Sequence, residues 1–163
     1  MVSPSECPRP SGLIECGTVF DIGPGIRPMG WYTPARHVCV EPCPAYAVRL
    51  RAKGYQVVEQ RAVDFLAARR LPSDSAVYLL DVIEHMDWED GLRTIALLLS
   101  ERPKQIVVFT PNGFLPQSGD AWGLGGDSWQ LHRSGWMPAD FPGWEIERLA
   151  APHDSFLAVW TRQ

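Results

Sequence analysis

No stretch of this chain carries the eighteen or so consecutive apolar residues that a membrane-spanning helix needs, so no span is expected. No Cys-x-x-Cys pair occurs among Cys7, Cys16, Cys39 and Cys43, which argues against a zinc site or a redox motif. Cys16 and Cys39 instead sit in apolar, strand-like stretches where buried free thiols are common. The four are read as reduced structural cysteines of a cytoplasmic protein. There is no excess of positive charge: the net charge is -4 with 21% charged residues, which leaves no electrostatic footprint for a nucleic acid. Residues 1–12 are rich in Pro and Ser and lack the apolar block of a secretory signal. They read as a flexible segment ahead of a domain over residues 13–163. Internal repeats and any sign of a second domain are also missing. A chain of 163 residues, 45% hydrophobic, suits one domain with one core. What these absences leave as the natural partner is a cofactor or another small molecule.

What is present is an alternation of strand-like and helix-like segments. Runs of mostly Val, Ile, Leu, Phe or Tyr, flanked by turn residues, predict strands over residues 17–22, 37–41, 56–59, 76–81, 105–110, 144–149 and 155–161. Helices are predicted over 44–53, opened by Pro44 and stopped at Gly54, over 63–70, ending before Pro72, and over 88–100. In the last of these Leu92, Ile95, Ala96 and Leu99 share one face, with Asp87 placed as the N-cap. Five strands joined by crossovers imply a parallel sheet. The last two are joined by residues 150–154 alone, too short for a crossover, and should form an antiparallel hairpin.

The run Val19-Phe20-Asp21-Ile22-Gly23-Pro24-Gly25 ends the first strand in an acid and a paired-glycine loop. A second apolar run, Val38-Cys39-Val40, ends in Glu41. Open α/β sheets hold the adenosine half of a cofactor in this way: the loop glycines let the backbone touch the ligand, and the acid takes the ribose hydroxyls. Gly23 and Gly25 lie where side chains would collide with that ligand, although a plain strand-to-loop turn would also use them. Glu41 is a two-oxygen acceptor suited to a ribose diol, with a solvated strand-end acid as the alternative. A dinucleotide would further need a helix N-terminus for its pyrophosphate and a third glycine for close packing. This chain has Arg27 at the third position, and Pro28-Met29-Gly30-Trp31-Tyr32-Thr33-Pro34 is too broken for a helix. A cofactor without phosphate, S-adenosylmethionine, loses less by that departure.

Together with Asp81-Val82-Ile83-Glu84-His85, these motifs resemble the class I S-adenosylmethionine-dependent methyltransferases over about residues 14 to 163. The resemblance implies a single-domain, Rossmann-like mixed sheet of seven strands in the order 3-2-1-4-5-7-6, with the seventh antiparallel. It also implies helices ahead of the first strand, which the residues before 14 can supply only in reduced form. The cofactor-binding residues it implies are Asp21, Gly23, Gly25, Glu41, Asp64, Asp81 and Val82. Asp21 would orient the loop and the ammonium end of the cofactor, or else be a turn acid. Asp64 would accept from the adenine amino group, or else be an acid of a helix first turn. Asp81 would place negative charge near the sulfonium, and Val82 would offer backbone contacts.

Methyl transfer to an activated carbon gains most from alignment, and a base is needed only where the acceptor must lose a proton. His85 is the catalytic candidate for that role, with a structural part in the loop as the alternative, and His132 is a second. The segment after Thr110-Pro111-Asn112-Gly113-Phe114 has little periodicity and reads as a functional loop. Phe114, Trp122, Trp129 and Trp136 would wall an acceptor pocket, with His132 and Arg133 as polar handles, or would anchor the loop to the sheet. Thr-Pro-Asn-Gly-Phe followed by His-x-Ser-Gly-Trp resembles a bacterial methyltransferase subgroup. An Asn/Asp-Pro-Pro-aromatic motif of DNA amino-methyltransferases is absent, and no clustered acids suggest a metal. The expected function is methyl transfer to a small-molecule O- or N-acceptor, sugar-like or aromatic, by an enzyme that a second copy or a partner would complete. Alternatives are a non-catalytic domain binding the same cofactor and an NAD-dependent oxidoreductase.

Overall fold

Seven β-branched and aromatic runs pair into one sheet in the computed structural model, which describes residues 7–150 and 154–163. The strands are β1 (Thr18–Ile22), β2 (Arg36–Val40), β3 (Gln56–Val58), β4 (Ser75–Leu80), β5 (Gln105–Pro111), β6 (Glu145–Leu149) and β7 (Ser155–Thr161). Their order is β3-β2-β1-β4-β5-β7-β6. The first five run parallel, and β7 is antiparallel to both of its neighbours. This is the expected arrangement, and each strand boundary falls within one residue of the sequence reading. The register of Leu149 opposite Ser155 makes β6 and β7 a hairpin, whose central residues 151–153 lie outside the described residues.

Period-two alternation sends successive side chains of each strand to opposite faces. Phe20, Ile22, Val38, Val40, Val77, Leu79, Ile106 and Val108 fill one face, under helices α2 (Ala62–Ala67) and α3 (Trp88–Glu101). Val19, Ala76, Tyr78, Leu80, Val107 and Phe109 fill the other. That second face is covered by Leu13, Ile14, Met29, Trp31 and Tyr32, and by Cys7 and Cys16. The N-terminal segment is therefore held where it is described. Gln105 accepts from the Ile14 N–H (2.9 Å) and donates to the Gly12 carbonyl (2.8 Å), while Ser11 donates to Glu147 through its backbone and its hydroxyl. Residues 1–6 of the segment expected to be flexible lie outside the described residues. All four cysteines are free and buried. Among the described residues no helix is long and apolar enough to cross a membrane.

Helix α1 (Pro44–Ala52) begins on its proline and stops before Gly54, whose φ of +87° an L side chain rarely adopts. Helix α3 is turned partway from its expected orientation: Gly91, Thr94 and Leu98 are buried and Leu92 and Ala96 are exposed, while Ile95 and Leu99 still pack against the core. Asp87 occupies the N-cap position but makes no side-chain cap bond. The rotation comes from Trp136, against which the bare surface of Gly91 packs; a Cβ there would meet Trp136 Cζ2 at 2.4 Å. Gly91→Ala should therefore destabilise the protein. Overpacking against a buried ring costs about 1–3 kcal/mol, more than the roughly 1 kcal/mol that alanine gains in a helix. A urea midpoint at or above wild type would show that α3 does not seat on Trp136.

Candidate functional site

The C-terminal ends of β1, β2 and β4 open into a crevice of about 420 Å³. Parallel α/β sheets bind ligands at this end of the strands, where adjacent crossovers diverge. The loop after β1 turns through two residues in the left-handed region, Gly23 (φ +64°) and Gly25 (φ +60°), and both line the crevice. Space demands glycine as well as dihedral angle. A Cβ on Gly23 would lie 2.8 Å from Val82 Cγ1, and one on Gly25 would lie 2.9 Å from Trp122 Nε1.

Glu41 follows β2 and faces the same crevice, with only 3% of its surface exposed. One carboxylate oxygen accepts the Gly25 N–H (3.0 Å) and the other accepts the Cys43 N–H (2.9 Å). Each oxygen has two lone pairs, so each keeps one for a further donor. Burial pushes the Glu41 carboxyl up to about 7, against the opposing pull of those two N–H bonds. The acid at the second strand tip is thus positioned by the very loop that it faces.

Asp21 and Asp64 fall elsewhere. Asp21 is buried under the loop, where its Oδ2 accepts the Met29 N–H (2.6 Å) and meets His37 Nε2 (3.1 Å). It does not line the crevice, and its hydrogen bonds orient the chain after the glycines. Asp64 is exposed in the first turn of α2 and also stands outside the crevice lining; helical periodicity puts the buried Ala62 and Val63 there instead. Asp81 and Val82 do line it. Asp81 adopts φ +56°, uncommon for a residue with a side chain, as β4 breaks into a single 3-10 turn at Ile83–His85.

That turn carries Glu84 and His85, and the loop after β5 brings His132 against them. The backbone N–H groups of Arg133 and Ser134 both donate to the Glu84 carbonyl, at 2.8 and 3.1 Å. The His85 and His132 rings meet edge to face, 4.7 Å between centroids. His132 Nδ1 lies 2.5 Å from the Leu115 carbonyl and His85 Nδ1 lies 3.4 Å from that of Leu131. Burial, with the neighbouring His132, holds His85 down to about 4, and burial lowers His132 as well. Both shifts favour the neutral ring.

Similar architecture recurs in solved structures. A methyltransferase dependent on S-adenosylmethionine from Archaeoglobus fulgidus is 15% identical, with 90% of this chain and 86% of that chain covered and a TM-score of 0.63. The fold is that of the class I methyltransferases. The small-RNA methyltransferase HEN1 is 19% identical at a TM-score of 0.62; the match covers 92% of this chain but 23% of HEN1. Magnesium protoporphyrin IX methyltransferase from Synechocystis, solved with bound S-adenosylmethionine, is 15% identical over 89% of this chain and 69% of its own, at a TM-score of 0.57. No family model and no curated protein sequence matches the chain.

In this methyltransferase fold the long loop after β5 closes one side of the crevice. Of the four aromatic residues expected to wall a pocket, Phe114, Trp122, Trp129 and Trp136, only Trp129 is part of the lining. Trp136 is a core residue, Phe114 is exposed, and Trp122 lies over the glycine loop with the Arg27 guanidinium 5.0 Å from its ring. Arg27 is exposed and does not block the crevice. Two residues with no place in the sequence reading organise this side. Asp120 accepts the backbone N–H groups of Trp122, Leu124 and Gly126, and Tyr46 of α1 donates its hydroxyl to Asp120 at 2.5 Å. An acid followed by a glycine-rich run is a local turn signal that would have pointed to Asp120. Nothing near Tyr46 points to it.

Proposed function

We propose that the chain is an S-adenosylmethionine-dependent methyltransferase acting on a small-molecule acceptor through an oxygen or nitrogen atom. The observation that carries this reading is Glu41: a buried carboxylate, fixed by two backbone N–H groups, keeps one lone pair on each oxygen beside a main-chain cradle. The residues present fit the cofactor. Glu41 would take both ribose hydroxyls, Gly23 and Gly25 would lie against the methionine half, and Ala62 and Val63 offer apolar surface for the base. When bound, S-adenosylmethionine supplies an electrophilic methyl carbon on a sulfonium. The segment after the glycine loop, residues 26–35, holds no helix, so no helix N-terminus is offered to a pyrophosphate and the dinucleotide reading loses support.

The acceptor would enter beside His85, Met86, Trp129 and Arg133, where apolar, aromatic and cationic groups converge. Two features favour a small acceptor over a polyanion such as RNA. The net charge is -4, and the arginines at the mouth already have acidic partners, Arg61 with Asp90 and Arg133 near Asp87. Calorimetric titration with S-adenosylmethionine and its demethylated product is expected to show one site per chain. Screening small-molecule pools with a labelled methyl donor should then find the acceptor. Absence of binding at millimolar cofactor would overturn the reading, and binding without any transfer would mark a regulatory domain.

A further inference from the structure

The cluster behind the acceptor side of the crevice has chemistry that the methyl-transfer reading leaves unused. We propose that Glu84, His85 and His132 form a binding site for one divalent transition-metal ion. Each offers a ligand atom, and those atoms all lie within 4.8 Å of one another. Around an ion at about 2.1 Å, tetrahedral ligands stand roughly 3.4 Å apart, so modest rotations of the two imidazoles close the shell.

The orientation of the groups is that of ligands awaiting an ion. Both histidines face backbone carbonyls with Nδ1, at 2.5 Å for His132 and 3.4 Å for His85; in the tautomer that donates from Nδ1, each Nε2 is the nitrogen left to ligate. Donation of one ring N–H to a carbonyl is how metal-ligating histidines are usually held. Glu84 is buried; its Oε2 accepts the Thr110 hydroxyl at 3.1 Å, while Oε1 meets no N–H or hydroxyl donor. Asp81 Oδ2 likewise meets none, and the two buried carboxyl groups hydrogen-bond to each other. Burial raises both, and the Asp81 charge raises Glu84 further, so that they hold a proton between them. A cation can take the place of that proton where two carboxyl groups share one buried site, and a divalent ion beside the two imidazoles would displace it. Two imidazoles with one carboxylate suit Mn²⁺, Fe²⁺, Co²⁺ or Zn²⁺ better than Ca²⁺ or Mg²⁺, which prefer all-oxygen shells. The loop is built to deliver its ligand: the Glu84 carbonyl holds the N–H groups of the two residues after His132, so the ligands assemble with the fold.

Because His85 also lines the crevice, open positions on the ion would face it. There the ion would bind an acceptor oxygen and ease loss of its proton to water, after which the oxygen lone pair attacks the methyl carbon and the carbon–sulfur pair departs with sulfur. This role, unlike the site, rests on the methyltransferase reading.

Cobalt tests the site directly. Protein stripped with EDTA and titrated with Co²⁺ should take up one ion per chain, with visible d–d bands and no thiolate charge-transfer band. His132→Ala and Glu84→Gln should each weaken uptake at least tenfold. Pulsed EPR of the unmutated protein loaded with Mn²⁺ should show coupling to imidazole nitrogen, a readout independent of whether the variants fold. Failure to bind Co²⁺ below millimolar concentration, uptake indifferent to both substitutions, or no imidazole coupling would each overturn the proposal. Cofactor titration in EDTA reports on Glu41 alone, so failure there leaves the metal site standing, and the converse holds.

Discussion

Replacing Glu41 by alanine is expected to weaken S-adenosylmethionine binding by roughly 10- to 150-fold, the equivalent of losing charge-assisted hydrogen bonds worth about 1.5–3 kcal/mol. The same residue should write a pH dependence onto wild-type affinity. Burial raises the Glu41 carboxyl to about 7, and only its ionised form offers both oxygens as acceptors to ribose hydroxyls. Below pH 7 the ligand must compete with a proton, so affinity should fall about tenfold between pH 8 and pH 6. 5′-Methylthioadenosine is the better probe for this, since it keeps the ribose and has no amino acid that titrates in the range. Glu41→Gln, which imitates the protonated acid, should bind at the low-pH level at every pH. Stability should move the other way. The folded carboxyl holds its proton where the unfolded one has lost it, so the stability of the free protein falls as pH rises from about 4.5 to about 7, by about 2–4 kcal/mol. A flat affinity profile in wild type would remove Glu41 from the ribose site.

Where sequence and structure agree, the signal is local. Strand runs such as Val19-Phe20 and Ile106-Val107-Val108 have no other comfortable home than a buried sheet, and a linker the length of 150–154 admits only a hairpin. The glycine loop and Glu41 were legible for the same reason, since each sits next to the strand that fixes it. Disagreement begins where a residue answers to something distant. Helix α3 presents Gly91 and Thr94 to the core rather than Leu92, because the shape of Trp136 overrules the apolar count. Asp64 sits at a plausible distance past β3, yet the phase of a six-residue helix turns it outward. His85 and His132 were both singled out as candidates, but their meeting was not readable. They are brought together by backbone hydrogen bonds between the loop and the 3-10 turn, and no pattern in the side chains announces those bonds.

Trp136→Ala should be the most destabilising single change, costing about 3–5 kcal/mol. The indole is 1% exposed, stacks 4.2 Å from the Trp88 ring and touches Phe141, so truncation opens a cavity that the sheet beneath cannot fill. Its loss also unties polar structure. Trp136 Nε1 donates to Ser134 Oγ at 2.9 Å, and Ser134 in turn donates to the Met86 carbonyl at 2.9 Å, while the Trp136 carbonyl receives the Gly113 N–H at 2.7 Å. Those bonds pin the far end of the long loop to the turn that bears His85 and tie its near end to Trp136. Trp136→Phe separates the contributions, since it keeps most of the buried ring and leaves Ser134 without its donor, at about 1 kcal/mol. Urea denaturation would rank the two variants. Limited proteolysis should cut the alanine variant within the exposed part of the loop, residues 114–125, well before the sheet gives way. Equal losses in the two variants would place the anchoring energy in the hydrogen bond; a loss below about 1 kcal/mol in the alanine variant would mean that the loop is held by Tyr46 and Asp120 instead.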